Sequence, residues 1–154
     1  MPLAIDRKVP EFAAEATGGK VRLSALQGRI VVLYFYPKDN TPGCTTEGRD
    51  FAAAHGKFDE AGAVILGVSR DSIKSHENFK AKMEYPFDLV ADPEEKLCQA
   101  FGVMKTKNMY GKQVRGIERS TFVIDAAGKL AREWRGVKVP NHVDEVLAFV
   151  QTLA

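Results

Sequence analysis

Ile30-Val31-Val32-Leu33-Tyr34-Phe35-Tyr36-Pro37-Lys38-Asp39-Asn40-Thr41-Pro42-Gly43-Cys44-Thr45-Thr46-Glu47 is the stretch that decides the fold. Its first half is β-branched and aromatic without alternation, the pattern of a central strand covered on both faces. Pro37 to Gly43 then reads as a loop, and a helix follows from about Cys44 to Gly56. A strand that ends in a Pro- and Gly-punctuated loop before a helix belongs to open α/β sheets, whose ligands bind at the carboxyl ends of strands.

Working outward, Ala63 to Ser69 reads as a second buried strand, and Asp71 or Ser72 opens a helix to about Met83. Pro86 to Val90 is a short strand, Asp92-Pro93 starts a helix lasting to Phe101, and Ser120 to Ile124 pairs with Leu130 to Trp134 around Asp125-Ala126-Ala127-Gly128. Asn141 can cap a final helix with Val143, Val146, Leu147, Val150 and Leu153 on one face. Upstream, Val9 to Ala16 and Lys20 to Leu23 flank Thr17-Gly18-Gly19, an N-terminal β-hairpin. Ser24 with Gln27 three residues on forms a capping-box pattern for one helical turn ending at Gly28. The order implies an α/β fold with a mixed central sheet flanked by helices, compatible with a thioredoxin-like arrangement.

No repeat or linker divides the 154 residues, so residues 1–154 are expected to form a single domain. A chain this long typically buries about 70% of its unfolded surface, so no staple is needed. With 22 basic and 20 acidic side chains scattered along it, the chain carries no nucleic-acid or anionic-membrane footprint. The longest apolar run, Ile30 to Tyr36, falls far short of the roughly 20 residues of a membrane span. The N-terminus lacks signal-peptide character, and the expected location is cytoplasmic.

Two cysteines, Cys44 and Cys98, do not make a secreted disulfide framework. A lone cysteine in such a domain is more often an inert packing residue, but the neighbours of Cys44 count against that. Pro42 and Gly43 pack poorly and expose backbone near a ligand. Thr41 places a hydroxyl three residues upstream, where it can orient a small polar substrate. A helix N-terminus supplies unpaired amides and partial positive charge, both of which favour a thiolate.

The spacing Pro37-x-x-x-Thr41-x-x-Cys44 matches the peroxiredoxin signature, and Phe35 to Glu47 resembles the bacterioferritin-comigratory protein (BCP) or PrxQ subfamily. Leu66-Gly67-Val68-Ser69 with Asp71-Ser72, then Asp92-Pro93, then Arg119 to Asp125 agree in order. The resemblance implies a thioredoxin-like fold and thiol-dependent reduction of hydrogen peroxide and organic hydroperoxides in antioxidant defence, with no metal or organic cofactor. It further implies that Cys44 attacks the peroxide, that the Thr41 hydroxyl, the Cys44 amide and Arg119 stabilise charge on the peroxide oxygens, and that Pro37 shields the thiolate. Glu47 reads either as an ordinary acidic residue of a first turn or, by resemblance, as the group that orients Arg119. His55, His76 and His142 sit in no motif and are expected at the surface.

Many relatives carry a second, resolving cysteine five residues after the first or in the helix after the second strand. Here the first slot is Arg49, and Lys74 to Met83 contains no cysteine. Cys98, beside Leu97 and Phe101, reads as a partly buried packing residue. The expected mechanism is therefore one-cysteine, with the sulfenic acid reduced by an external thiol (thioredoxin, glutaredoxin or glutathione). The subfamily resemblance implies a monomer. A thioredoxin-type disulfide oxidoreductase would need Cys-x-x-Cys, and position 47 is Glu. A peroxide sensor on the same fold would keep Cys44 and differs by consuming a single equivalent of peroxide.

Overall fold

The computed structural model describes residues 3–154. The N-terminal hairpin is formed by β1 (Ala13–Ala16) and β2 (Gly19–Arg22). Gly19 turns the chain at φ +112°, a backbone conformation that L side chains rarely adopt. The turn that follows, Leu23–Leu26, is 3₁₀ rather than α, and Ser24 does not cap it. Instead the Glu11 carboxylate accepts from the Ser24 amide at 2.9 Å, so a distant acid does the work expected of the capping box.

β3 (Ile30–Phe35) is buried along its whole length, as its sequence predicts. It pairs in parallel with β4 (Ala63–Ser69) and antiparallel with β8 (Ser120–Ile124). The full sheet runs β2-β1-β5-β4-β3-β8-β9, with β5 at Asp88–Ala91 and β9 at Leu130–Arg135. Strand alternation then divides the core in two. Ile30, Val32, Tyr34 and Tyr36 join one apolar cluster with Cys44, Phe51 and Phe58. Val31, Leu33 and Phe35 join the other with Leu97, Cys98 and Phe101. The two cysteines therefore pack on opposite faces of the sheet.

The helix after β3, α1 (Pro42–Ala53), begins two residues earlier than the sequence reading placed it, because proline is well suited to a first helical turn. It ends at Ala53 rather than Gly56, and a separate short helix, α2 (His55–Glu60), follows. α3 (Ile73–Met83) starts where expected, the Ser72 hydroxyl accepting from the Ser75 amide at 3.1 Å. The helix after Asp92-Pro93 is shorter than predicted: α4 spans only Lys96–Ala100, and Glu95 before it lies at φ +63°. The Asp92 carboxylate accepts from the Leu97 and Cys98 amides and supplies that helix start.

A second hairpin, β6 (Met104–Met109) and β7 (Lys112–Ile117), forms its own two-stranded sheet in a stretch where the sequence predicts no element. Its residues carry almost no buried face to write an alternating pattern, and the turn at Tyr110-Gly111 was the available signal. α5 (His142–Leu153) closes the chain on the first face, with Val143, Val146, Leu147 and Val150 buried and Leu153 exposed. Asn141 precedes it in a left-handed conformation and makes no side-chain cap. Among the described residues no helix is long and apolar enough to cross a membrane.

Candidate active site

Two strand ends converge on the start of α1. β3 delivers the loop 37–41, and Arg119 immediately precedes β8, which lies beside β3. Phe51 stacks on Tyr34 with ring centroids 4.6 Å apart and seats the helix on the sheet. Gly48 lets the helix approach Tyr85, whose hydroxyl donates to the Thr45 carbonyl at 3.4 Å; any side chain at position 48 would run into that hydroxyl.

Cys44 is the third residue of α1 and is 2% exposed. Arg119 Nη2 donates to its Sγ at 3.3 Å, and Arg119 Nη1 donates to Glu47 Oε1 at 2.6 Å. One guanidinium thus bridges the thiol and the carboxylate one helical turn away. Gly43 makes room for it, since a Cβ there would stand 3.1 Å from Nη2. Glu47 is fully buried and its Oε2 has no partner. Burial pushes the Glu47 carboxyl up to about 7, against the opposing pull of Arg119. Burial acts to lower Arg119, but the facing Glu47 and Cys44 outweigh it and hold the guanidinium charged.

Thr41 occupies the N-cap of α1, yet its side chain makes no cap bond. It donates instead to the Lys38 carbonyl at 2.8 Å, which leaves the hydroxyl oxygen free to accept from a substrate. The first intrahelical bond runs from the Thr45 amide to the Thr41 carbonyl at 2.8 Å. The amides of Gly43 and Cys44 consequently have no partner within the helix. Pro37 is exposed at the mouth of the loop. The start of α1 thus carries a thiol bonded to a guanidinium, with free amides and a hydroxyl acceptor on the same turn and its N-cap. That combination can hold a thiolate and receive charge on a small oxygen-containing substrate.

Cys98 lies elsewhere. It is fully buried rather than partly so, and burial beside Asp92 holds its thiol well above the ordinary range. The expectation of surface histidines fails for two of the three. His76 is fully buried between Asp39 and the Val90 carbonyl, and His142 is 4% exposed with its Nε2 2.8 Å from the Thr121 hydroxyl. Burial pushes His142 down to about 4. Both rings meet specific polar partners brought from distant elements, which no local motif reveals.

The AhpC/TSA family profile matches residues 5–133. The chain is 58% identical to peroxiredoxin Bcp of Xanthomonas campestris over 137 residues, 89% of this chain and 86% of that one. It is 49% identical to peroxiredoxin Bcp of Bacillus subtilis over 155 residues, 100% of this chain and 99% of that one. Among solved structures, the X. campestris bacterioferritin comigratory protein, described for its alkyl peroxide reduction activity, superposes with a TM-score of 0.88 at 56% identity, covering 92% of this chain and 90% of that one. Matches at this identity over nearly full length, together with a thioredoxin-like sheet, mean that the chain belongs to the AhpC/TSA family as a peroxiredoxin of the Bcp/PrxQ type.

Proposed function

We propose that this thiol peroxidase reduces hydrogen peroxide and organic hydroperoxides through attack of Cys44, by a one-cysteine mechanism in antioxidant defence. The Arg119 guanidinium, 3.3 Å from Sγ and anchored on Glu47, is the observation that carries the reading. The alkyl peroxide activity of the X. campestris relative supports the substrate class.

In the step itself the Cys44 thiolate attacks one peroxide oxygen. An S–O bond forms as the O–O bond breaks, the sulfur is oxidised by two electrons, and the second oxygen leaves as an anion that takes up a proton. Product is water from hydrogen peroxide or an alcohol from an organic hydroperoxide. Arg119 and the Cys44 amide meet the charge moving onto the oxygens, in the manner of fixed donors aimed at a transition state. The Thr41 hydroxyl oxygen accepts a hydrogen bond from the peroxide O–H and aligns the O–O bond with Sγ. Pro37 limits water at the mouth.

The resulting sulfenic acid condenses with an external thiol, releasing water and forming a mixed disulfide. A second thiol then attacks that disulfide and restores Cys44. Thioredoxin, glutaredoxin or glutathione would supply those thiols. Cys98 packs on the opposite face of the sheet from Cys44, which favours an external rather than an internal partner. The chain works in this reading as a single cytoplasmic domain and as a monomer.

Thiol-dependent peroxide consumption tests the proposal. Wild-type protein should turn over many equivalents of peroxide, and Cys44→Ser none, with an unchanged circular dichroism spectrum. Consumption of a single equivalent despite excess thiol would make the protein a sensor instead.

A further inference from the structure

The loop that presents Thr41 and Cys44 carries one acid, Asp39, and that acid is 7% exposed. Its Oδ1 accepts from the Tyr36 hydroxyl at 2.6 Å, and its Oδ2 from the Ser75 hydroxyl at 2.8 Å. His76 Nδ1 lies 2.7 Å from the same Oδ2, and the ring is fully buried. On the other side of the ring, Nε2 lies 2.9 Å from the Val90 carbonyl oxygen. The loop main chain is held as well, because the Asp39 amide donates to Asp71 Oδ2 at 2.9 Å. Next to it Asn40, at φ +63°, accepts from Lys82 Nζ at 2.9 Å.

Donor counting fixes the state of the ring. A carbonyl can only accept, so Nε2 must carry a proton. Between Nδ1 and Oδ2 one proton is shared, and it could reside on either atom. Burial and the facing Asp39 keep the Tyr36 phenol well above its ordinary range, so its hydroxyl is a donor. The Tyr36 and Ser75 hydroxyls already donate one to each Asp39 oxygen, and in the inferred arrangement the shared proton sits on nitrogen. Asp39, Asp71 and His76 offer ligand atoms within 4.8 Å of one another. Each of those atoms is already engaged by a protein partner, so the group reads as a closed hydrogen-bond network rather than an open metal site.

We infer that His76, as a buried imidazolium paired with Asp39, is a positioning residue for peroxide attack, clamping the loop 37–41 onto α3 and β5 so that Thr41 faces the Cys44 thiol. The inference rests on the reading of Cys44 as the attacking thiol. His76 touches none of the reacting atoms. It acts through Asp39, two residues before Thr41, and a displacement of about 1 Å at a substrate-orienting group can cost about 100-fold in rate.

Two measurements on the reduced full-length protein test it. A histidine-ring ¹H–¹⁵N correlation spectrum at neutral pH, with His76 assigned by its loss in His76→Gln, should show both ring nitrogens protonated. A bare nitrogen on His76 would overturn the inference. In Asp39→Asn the new amide can donate to Nδ1 of a neutral ring, so packing is kept while the charge pair is lost. Peroxide attack on Cys44, followed in single turnover, should then slow by about 10- to 100-fold. Alkylation of the same thiol by a small uncharged reagent, which needs no help from Thr41, should stay within about twofold of wild type. Unchanged peroxide rates in Asp39→Asn, or equal losses in both reactions, would refute a positioning role. Failure of the wild-type protein itself to react with peroxide at Cys44 would sink the underlying functional reading instead, so the two failures are separable.

Discussion

Glu47→Gln is the most informative perturbation of the site, because it separates the charge of Glu47 from its shape. The wild-type carboxylate is fully buried, has one oxygen on Arg119 at 2.6 Å and the other unpartnered. Burial raises it from an ordinary 4.5 to about 7. At about 1.4 kcal/mol per pH unit, that displacement amounts to about 3 kcal/mol. A carboxyl raised on folding contributes stability that is fully present below its unfolded value and lost as pH climbs through the folded one. Wild type therefore loses about 3 kcal/mol from this group between about pH 4.5 and pH 8, and the neutral amide loses none. The assay is urea unfolding of both forms across that range, in a Cys44→Ser background so that thiol ionisation does not contribute. The difference in unfolding free energy should move by about 3 kcal/mol in favour of Gln as pH rises, with constant m-values. A difference that stays flat with pH would refute the reasoning, since it would mean that Arg119 keeps Glu47 ionised throughout. With Cys44 restored, the amide oxygen can still accept from Arg119, so peroxide attack should fall by about tenfold, the scale of a charge-assisted bond reduced to a neutral one.

Two further outcomes follow from the same geometry. Arg119→Ala should slow peroxide attack by about 100-fold or more, which stopped-flow peroxide kinetics check. Cys98→Ser should leave thiol-dependent turnover close to wild type while lowering the urea midpoint, because it places a hydroxyl at a fully buried position in an apolar cluster.

The elements with a buried face were legible in the sequence. The run Ile30 to Tyr36 reads as a covered strand because both faces of β3 meet the core, and the structure buries every residue of it. β4 and β8 are legible for the same reason, and β9, an edge strand with only Leu130 buried, is legible from the Asp125–Gly128 turn that joins it to β8. β6 and β7 are not, because most of their side chains are exposed and only Met104 and Ile117 at the base reach the core, too few to write a period of two. The turn after β2 is misjudged because its cap, Glu11, lies 13 residues away, and α4 is overextended because Asp92 caps it five and six residues on, past Glu95 in a left-handed conformation. In the site, the Pro37–Thr41–Cys44 spacing is local and was readable. The pairing of Arg119 with Glu47 spans 72 residues and depends on β3 lying beside β8, so it could be drawn only from family resemblance. The burial of His76 and His142 is not legible, because it depends on partners such as Val90 and Thr121 that no sequence window contains.

The central claim is that Cys44 is the attacked-from thiol and that its oxidised form is resolved from outside the chain. Mass spectrometry of non-reduced wild-type protein, after one equivalent of peroxide and a sulfenic-acid trap, tests this most directly. The account predicts stoichiometric trapping of sulfenic acid on the Cys44 peptide and an unmodified Cys98. The two thiols pack on opposite sides of the sheet, and a disulfide needs Cα atoms within about 7 Å. A Cys44–Cys98 crosslinked peptide formed stoichiometrically within one chain would contradict the one-cysteine mechanism, and sulfenic acid trapped on Cys98 alone would contradict the assignment of the nucleophile.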